Sequence, residues 1–237
     1  TIAVINGECV VGIEGDDLDL LKAILSGRDS QDVKKVSFRG IPISIAQKWT
    51  GGTTVSATMF IANAVGIKVF ATGGIGGVHR GWMQSMDISS DITALASIPV
   101  IVVCAGCKAI LDVPATLEAL ETYAIPILGW ETDEFPTFYS RQSGLSILRA
   151  SSIKEICKTY TIQKEVFQVN RGLLIANPIP LESEIPFGEI EPFINEAIIE
   201  AQNQGIKGKE LTPFLLSYLA RITQGSSIVA NRSLLKN

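Results

Sequence analysis

Short apolar runs alternate along the chain with stretches whose apolar residues recur at helical spacing. The run VIVVCAG has the pattern of a buried strand, whereas VPATLEALETYA has that of an amphipathic helix. Further strands are predicted at IPISIAQ, IKVFATGG, IPILGW and GLLIANPIP, and further helices at DDLDLLKAIL, GGTTVSATMFIANAVG, SSDITALASI, GEIEPFINEAIIEAQNQG and GKELTPFLLSYLARITQG. The segment TIAVINGECVVGI predicts a β-hairpin that turns at Asn6 and Gly7. This alternation predicts one α/β domain over residues 1–237, a three-layer α/β/α fold with a mainly parallel central sheet.

Composition and charge narrow the class of protein. The 237 residues are 46% hydrophobic and 19% charged, enough apolar residues for a sizeable core. The formal net charge of -4 gives no indication of a nucleic-acid partner. No apolar run reaches the ~18 residues that a membrane span requires, and the amino end lacks the order of a signal peptide. Four scattered cysteines do not form a secreted disulfide framework, so we expect a reducing, cytoplasmic compartment.

One lysine stands where an ammonium group is seldom found. Lys108 directly follows VIVVCAG, at the carboxyl end of a predicted core strand, and α/β sheets bind their ligands at that edge. Lysines near strand ends usually extend into solvent or cap a carbonyl. The alternative is a nucleophilic lysine that forms a Schiff base, a role that partial desolvation favours because it lowers the pKa of an amine. This stretch alone leaves both interpretations open.

A glycine-rich loop, ATGGIGGVHRG, continues the strand predicted at IKVF. Such a loop allows backbone N–H groups to converge on an anion. Its spacing fits neither the dinucleotide fingerprint nor the P-loop. The only histidine, His79, and its neighbour Arg80 end the loop. We expect it to bind an anion or a substrate, and an ordinary turn is the alternative.

An acidic segment, MDISSD, follows this loop. Its two aspartates, Asp87 and Asp91, flank two serines. A carboxylate with several waters is the usual ligand set of Mg²⁺ or Mn²⁺, so the segment predicts a site for such an ion. A serine or aspartate here equally suits the N-cap of the helix that follows.

Cys104 and Cys107 have the C-x-x-C spacing of a redox motif. However, Cys104 lies within an apolar strand, where a cysteine behaves as a small core residue. The core interpretation is favoured over the redox one.

Taken in order, these segments resemble one protein family. VFATGGIGGVHRG, MDISSD, VVCAGCKAILD, TDEFPTFYSRQSG, LIANPIP and GKELTPFLL follow one another as in the pseudouridine-5′-phosphate glycosidases, also called the indigoidine synthase A family. The resemblance extends over the whole chain. It implies a homotrimeric α/β/α enzyme that reversibly cleaves pseudouridine 5′-phosphate to uracil and ribose 5-phosphate. It also implies a divalent cofactor, typically Mn²⁺ and alternatively Mg²⁺.

The resemblance also assigns a role to Lys108, which matches the family's covalent lysine. The substrate has a carbon–carbon glycosidic bond, whereas a two-carboxylate glycosidase protonates a departing oxygen. A lysine adduct at ribose C1′, with the sugar ring opened, offers an iminium for the step that breaks the C–C bond. The amine must be deprotonated to attack, which a partly desolvated site favours.

Other family positions carry over one by one. The phosphate-binding lysine falls on Lys35 in KVSFRGIP, and a substrate-contacting position on Val55 in GGTTV. The metal-binding aspartate matches Asp87. The positions matched to the substrate or its surroundings are Ser89, Ser90, Asp91, His79 with its neighbour Arg80, and Asn231 in IVANRSLL. Gly52 and Cys107 depart from the family pattern, in which alanine is usual at both positions.

The family pattern extends beyond both ends of this sequence. The resemblance implies an amino-terminal segment with a catalytic glutamate, the proton donor to uracil, and a further carboxyl-terminal helix. Neither is matched within residues 1–237, so we expect cleavage to be impaired without that glutamate. Three hypotheses stay open: a glycosidase of this family, a catalytically impaired remnant that only binds a sugar phosphate, and a different aldehyde-handling lyase that uses the same lysine.

Overall fold

A computed structural model describes residues 1–16, 18–19 and 33–237, which form two compact units, Thr1–Lys68 and Val69–Asn237. The single domain expected over residues 1–237 remains a prediction. The helix predicted at DDLDLLKAIL lies largely outside the described residues. Among the described residues, no helix is long and apolar enough to cross a lipid bilayer.

The first unit contains a four-stranded mixed sheet in the order β2 (Glu8–Val11), β1 (Ile2–Ile5), β4 (Gly51–Thr53), β3 (Lys34–Val36). The predicted hairpin is confirmed: β1 and β2 pair antiparallel, and Asn6 and Gly7 have φ of 50° and 83°, as a two-residue hairpin turn requires. The unit also contains a 3₁₀ turn (Phe38–Gly40) and the helices α1 (Ile41–Ala46) and α2 (Val55–Ala64).

The strand predicted at IPISIAQ is wrong, because residues Ile41–Ala46 form helix α1. The alternating isoleucines suggested a period of two. Instead, Ile41 and Ser44 are buried one helical turn apart, and Ile43 and Ile45 are 46% and 49% exposed. Pro42 lies in the first helical turn, where its missing N–H would have no partner within the helix.

The helix predicted from GGTTV begins later than its sequence pattern suggested. Thr54 is the N-cap residue of α2, and the preceding glycines belong to β4, which pairs with both β1 and β3. A Cβ atom on Gly51 would lie 2.2 Å from the Lys34 carbonyl oxygen. Glycine therefore permits the close approach of β4 to β3.

The second unit contains a five-stranded, all-parallel sheet flanked by helices, with the strand order β5 (Val69–Ala71), β6 (Ile101–Cys104), β9 (Leu173–Ala176), β7 (Ile127–Trp130), β8 (Leu148–Ala150). This confirms the predicted α/β fold with a parallel central sheet. The helices are α3 (Trp82–Ser85), α4 (Ser90–Ser97), α5 (Val113–Thr122), α6 (Ile153–Thr161) with a π-helical extension (Ile162–Val166), α7 (Phe187–Asn203), α8 (Leu211–Ile222) and α9 (Ser226–Lys236), with 3₁₀ turns at Leu181–Ser183 and Gly208–Glu210.

The central strands of this sheet are buried, as expected for a parallel sheet with helices on its faces. All four residues of β9 are buried, and Val102 of β6 lies in register with Leu174 of β9. The carboxyl ends of β5 and β6 are neighbours at one edge of the sheet. The loops that leave these two strands contain the glycine-rich segment and Lys108.

Candidate active site

The loops after β5 and β6 continue the pairing of the two strands beyond their ends. The Ala105 N–H donates to the Gly73 carbonyl, and the Ile75 N–H donates to the Gly106 carbonyl, each at 3.0 Å. The Lys108 N–H then donates to the Ile75 carbonyl, also at 3.0 Å. Each loop therefore fixes the path of the other at the carboxyl edge of the parallel sheet, where α/β proteins bind ligands.

Two glycines let these loops approach their neighbours closely. Gly106 has φ of 82°, and a Cβ atom there would lie 1.8 Å from the Pro136 carbonyl oxygen. A Cβ atom on Gly76 would lie 2.3 Å from Ser89 Oγ and 2.8 Å from Asp91 Oδ2. The glycine-rich loop is therefore packed against protein at these positions.

Lys108 begins a tight turn between the loop pairing and helix α5. Its carbonyl accepts a hydrogen bond from the Leu111 N–H at 3.0 Å, and its own N–H bonds to Ile75. Its side chain is half-buried, whereas its neighbours Cys107 and Ala109 are buried. Hydrogen bonds therefore fix the Lys108 backbone at both its N–H and its carbonyl group.

Asp91 is buried against the glycine-rich loop, with 3% of its surface exposed. Its Oδ2 accepts a hydrogen bond from the Gly76 N–H at 2.8 Å. Ser89 is the N-cap of α4, because its Oγ accepts from the Asp91 N–H at 3.2 Å, and its own N–H donates to the Gly77 carbonyl at 2.9 Å. Ser90 is the first residue of that helix. The MDISSD segment therefore caps a helix and anchors the loop at the same time.

The structure brings His79 and Asp87 together beside this anchor. Nε2 of His79 lies 4.0 Å from Oδ2 of Asp87, and the His79 N–H donates to the Asp87 carbonyl at 3.1 Å. The Asp87 side chain is 35% exposed. Among the described residues there is no group of three or more His, Cys, Asp and Glu that could hold a metal ion. A solvent-reachable carboxylate fits an ion that keeps most of its water ligands, as Mg²⁺ and Mn²⁺ do.

Asn231 reaches the glycine-rich loop from helix α9 near the carboxyl end of the chain. Its Oδ1 lies 3.5 Å from the position of a Cβ atom built on Gly73. Leu234 of the same helix and Phe138 also border this glycine. An amide group from a distant segment is thus placed beside the first glycine of the loop.

Cys104 and Cys107 are core residues, which supports that interpretation over a redox motif. The exposed fractions are 3% for Cys104 and 0% for Cys107. Burial raises the pKa of each thiol to about 12. Both groups are therefore neutral at physiological pH, whereas a redox cysteine needs accessible thiolate.

Sequence reasoning missed Thr116, which supports the loop from helix α5. Its Oγ1 accepts a hydrogen bond from the Val78 N–H at 3.0 Å, and the side chain is fully buried. The available signal was a threonine one turn after Val113 and one turn before Leu120, on the apolar face of a predicted helix. A hydroxyl on such a face usually has a buried partner.

The two other predicted residues belong to the first unit. Lys35 is an exposed residue of β3, in register with Gly52 of β4. A Cβ atom built on Gly52 would meet no atom within 4 Å. Val55 is a buried residue at the first position of α2, directly after the N-cap Thr54.

A cleft of about 970 Å³ lies elsewhere in the second unit. Ile127 and Leu148, the first residues of β7 and β8, line it together with Phe167 and Arg171. None of the predicted site residues lines this cleft. It borders the amino ends of two strands, opposite to the edge where α/β sheets bind ligands.

The fold and the site define an α/β protein with a half-buried lysine at the carboxyl edge of a parallel sheet. The family model described as "Indigoidine synthase A like protein" matches residues 1–237. The chain belongs to this family, whose members include the pseudouridine-5′-phosphate glycosidases.

Several known proteins are similar to this chain over its whole length. Pseudouridine-5′-phosphate glycosidases from Staphylococcus aureus and Caldanaerobacter subterraneus are 44% and 47% identical to it. The matches cover 100% of this chain and 75% of each relative. The crystal structure of an indigoidine synthase A-like protein from Thermotoga maritima matches with a TM-score of 0.88 and 40% identity, over 99% of this chain and 75% of that one.

A second solved structure is the prealnumycin C-glycosynthase AlnA in complex with ribulose 5-phosphate. It has a TM-score of 0.88 and 32% identity, with coverage of 99% of this chain and 75% of that one. These matches confirm the predicted family and fold class.

The close contact at Gly106 predicts a large loss of stability on substitution. Gly106→Ala should lower the free energy of unfolding by about 3 kcal/mol or more, because the new Cβ atom meets the Pro136 carbonyl. Gly144→Ala is the matched control: Gly144 has φ of 74° and open space around it, so only the backbone cost of about 1–2 kcal/mol applies. Urea denaturation measures both. Equal losses would show that Pro136 moves away without cost.

The thiol environments predict a sharp difference in alkylation. At pH 8 iodoacetamide should modify the exposed Cys9 and Cys157 of the folded chain and leave Cys104 and Cys107 unmodified. A thiol whose pKa is raised to about 12 carries almost no thiolate at that pH. Mass spectrometry of peptides before and after denaturation gives the labelled fractions. Rapid labelling of Cys107 in the folded chain would contradict the prediction.

Proposed function

We propose that the chain catalyses the reversible cleavage of pseudouridine 5′-phosphate to uracil and ribose 5-phosphate through a Schiff base on Lys108. The relatives that match it from end to end are named pseudouridine-5′-phosphate glycosidases. A related structure contains a pentulose phosphate, ribulose 5-phosphate, a ligand of the chemical class proposed here. The observation that carries the proposal is the half-buried Lys108 on a turn fixed by the glycine-rich loop.

The chemistry balances with one lysine, proton transfers and one water. The neutral Lys108 amine attacks C1′, the new N–C1′ bond replaces C1′–O4′, and O4′ takes a proton as the ribose ring opens. The nitrogen lone pair then forms C1′=N while the bond from C1′ to the uracil carbon breaks. That carbon gains a proton and leaves as part of uracil. Water finally hydrolyses the imine to ribose 5-phosphate and the free lysine.

The other residues have supporting roles in this proposal. Lys35 is assigned to the substrate phosphate, and its exposure leaves the ammonium accessible to an anion. We assign Val55 a backbone contact with the substrate. The residues assigned to the substrate surroundings are His79, Ser89, Ser90, Asp91 and Asn231. Asp91 accepts a hydrogen bond from the glycine-rich loop, and Ser89 caps helix α4. Part of their contribution is therefore to hold the shape of the site. The homotrimer that the resemblance implies and the cytoplasmic location expected from the cysteine pattern remain predictions.

We assign Asp87 to a Mn²⁺ or Mg²⁺ ion that keeps several waters. Its side chain is 35% exposed beside His79, which leaves room for a hydrated ion. When bound, such an ion would polarise a substrate oxygen and hold it in place. The protein would contribute one carboxylate to this arrangement.

Borohydride trapping tests the lysine chemistry. Ribose 5-phosphate with borohydride should leave a reduced adduct on Lys108, because borohydride converts the imine to a stable secondary amine. Lys108→Arg should abolish the adduct, whereas Lys154→Arg, at an exposed lysine of α6, should not. Peptide mass spectrometry locates the modification.

The outcomes distinguish the hypotheses. A chain that binds ribose 5-phosphate without trapping it would be a remnant that only binds the sugar phosphate. Trapping on Lys108 without cleavage or synthesis of pseudouridine 5′-phosphate would point to another aldehyde-handling reaction. Trapping together with turnover supports the proposal, and trapping on a different lysine overturns the assignment to Lys108.

Metal binding can be tested without turnover. Asp87→Asn should weaken Mn²⁺ binding at least about 10-fold, because the site loses its carboxylate. Free Mn²⁺ is measured by electron paramagnetic resonance at fixed pH and ionic strength. Asp133→Asn, at a carboxylate that is 72% exposed, is the control and should bind as the unmodified chain does. Equal affinity in the unmodified chain and in Asp87→Asn would remove Asp87 from the metal site.

A further inference from the structure

The Arg80 guanidinium uses every one of its donors within the protein. Arginine has five N–H groups and no acceptor. Nε donates to the Leu111 carbonyl at 3.2 Å, and one terminal nitrogen donates to the Ala109 carbonyl and to Glu191 Oε2, at 3.2 and 2.9 Å. The other terminal nitrogen donates to Glu191 Oε1 at 2.6 Å and to Asn195 Oδ1 at 3.0 Å. No N–H group is left over for an anionic ligand, although the sequence suggested an anion-binding loop.

These bonds join three segments around Lys108. Arg80 ends the glycine-rich loop, while Glu191 and Asn195 lie one turn apart on the same side of helix α7. The two carbonyls that Arg80 holds, those of Ala109 and Leu111, belong to the turn that starts at Lys108. The guanidinium thereby ties that turn to helix α7, which lies about 80 residues further along the chain.

The geometry of the pair is that of a strong ion pair. The guanidinium and the Glu191 carboxylate meet through two parallel N–H···O bonds, the arrangement that combines charge with fixed orientation. The side chains are 23% and 26% exposed, so solvent screens the pair only in part. Asn195 Nδ2 also lies 3.5 Å from Glu191 Oε1. A lysine at position 80 would keep the positive charge but could not form the two parallel hydrogen bonds to Glu191.

We propose that Arg80, Glu191 and Asn195 form a clamp that sets the position of the Lys108 turn, and so of the reactive amine. In this assignment Arg80 is a positioning residue and does not bind the substrate phosphate. The assignment rests on the proposed function of Lys108 for its catalytic consequence. Its structural consequence, a fixed turn at residues 108–111, can be measured independently.

The catalytic consequence is a change in rate with little change in ligand affinity. A misplaced nucleophile slows bond formation steeply, and displacements near 1 Å cost up to about 100-fold. In Arg80→Lys and Glu191→Gln, the limiting rate of borohydride trapping at saturating ribose 5-phosphate should fall about 10- to 100-fold. The ribose 5-phosphate concentration that gives half of this rate should change less than about 3-fold, since the phosphate contact is untouched. The double variant should be no slower than the slower single variant, because each single change already breaks the same clamp.

The matched control is Arg149→Lys, the same substitution at an arginine that pairs with the exposed Asp133. Its trapping rate should equal that of the unmodified chain. A second measurement, amide hydrogen exchange, is independent of chemistry. Exchange at the Lys108 and Leu111 amides, which are hydrogen-bonded here, should accelerate in both clamp variants and not in the control.

These measurements separate failure of the clamp from failure of the proposed function. Unchanged trapping and unchanged exchange in the clamp variants would overturn the clamp. A raised half-saturating concentration in Arg80→Lys with an unchanged limiting rate would make Arg80 a ligand of the phosphate and overturn it too. If the unmodified chain traps no adduct while exchange accelerates in the clamp variants, the clamp stands and the Schiff-base chemistry falls.

Discussion

The candidate site depends on one set of interlaced hydrogen bonds between the loops that leave β5 and β6. Each loop alone is a glycine-containing segment with little reason to adopt one path. Bonded alternately through Gly73, Ala105, Ile75, Gly106 and Lys108, the two loops extend the parallel sheet past the ends of its strands. The Lys108 backbone is therefore fixed by hydrogen bonds that continue the sheet, although Lys108 itself lies outside any helix or strand.

Two buried side chains and one partly buried side chain complete this arrangement through hydrogen bonds. Asp91 holds the glycine-rich loop at Gly76, Thr116 holds it at Val78, and Arg80 holds the turn after Lys108. A buried carboxylate or hydroxyl without a partner would be costly, so these groups constrain the loop to one arrangement in which all are satisfied. The same requirement explains why charged side chains beside a candidate ligand site need not touch the ligand.

The sequence predicted the parallel sheet well because apolar runs such as VIVVCAG report burial on both faces of a strand. It failed at IPISIAQ, where a period-two pattern of isoleucines occurs in a short helix with a proline in its first turn. Helix α6 was missed although its sequence has a helix-start signal, a serine followed three residues later by a glutamate: Ser152 Oγ accepts from the Glu155 N–H, and the Glu155 carboxylate accepts from the N–H of Ser151, the residue before the N-cap. The apolar residues of α6 recur at helical spacing. Strand β8, in contrast, has only three residues, which are too few to show the alternation of a strand.

Some residues of the candidate site can be predicted from short motifs, whereas others are brought to it by contacts between distant parts of the chain. Motifs of a few residues were sufficient to nominate Lys108, Asp87 and His79, because each lies where a strand or loop pattern ends. Glu191 could not be found in this way, since it meets Arg80 across 111 residues of sequence and sits in an ordinary amphipathic helix. Only the folded chain shows that Arg80 pairs with Glu191 and that Asp91 accepts a hydrogen bond from the glycine-rich loop. If Lys108 and the His79–Asp87 pair carry the chemistry, the charged residues around the glycine-rich loop have two separate roles. Arg80 and Asp91 hold the loop and the lysine turn in place, and the others act on the ligand.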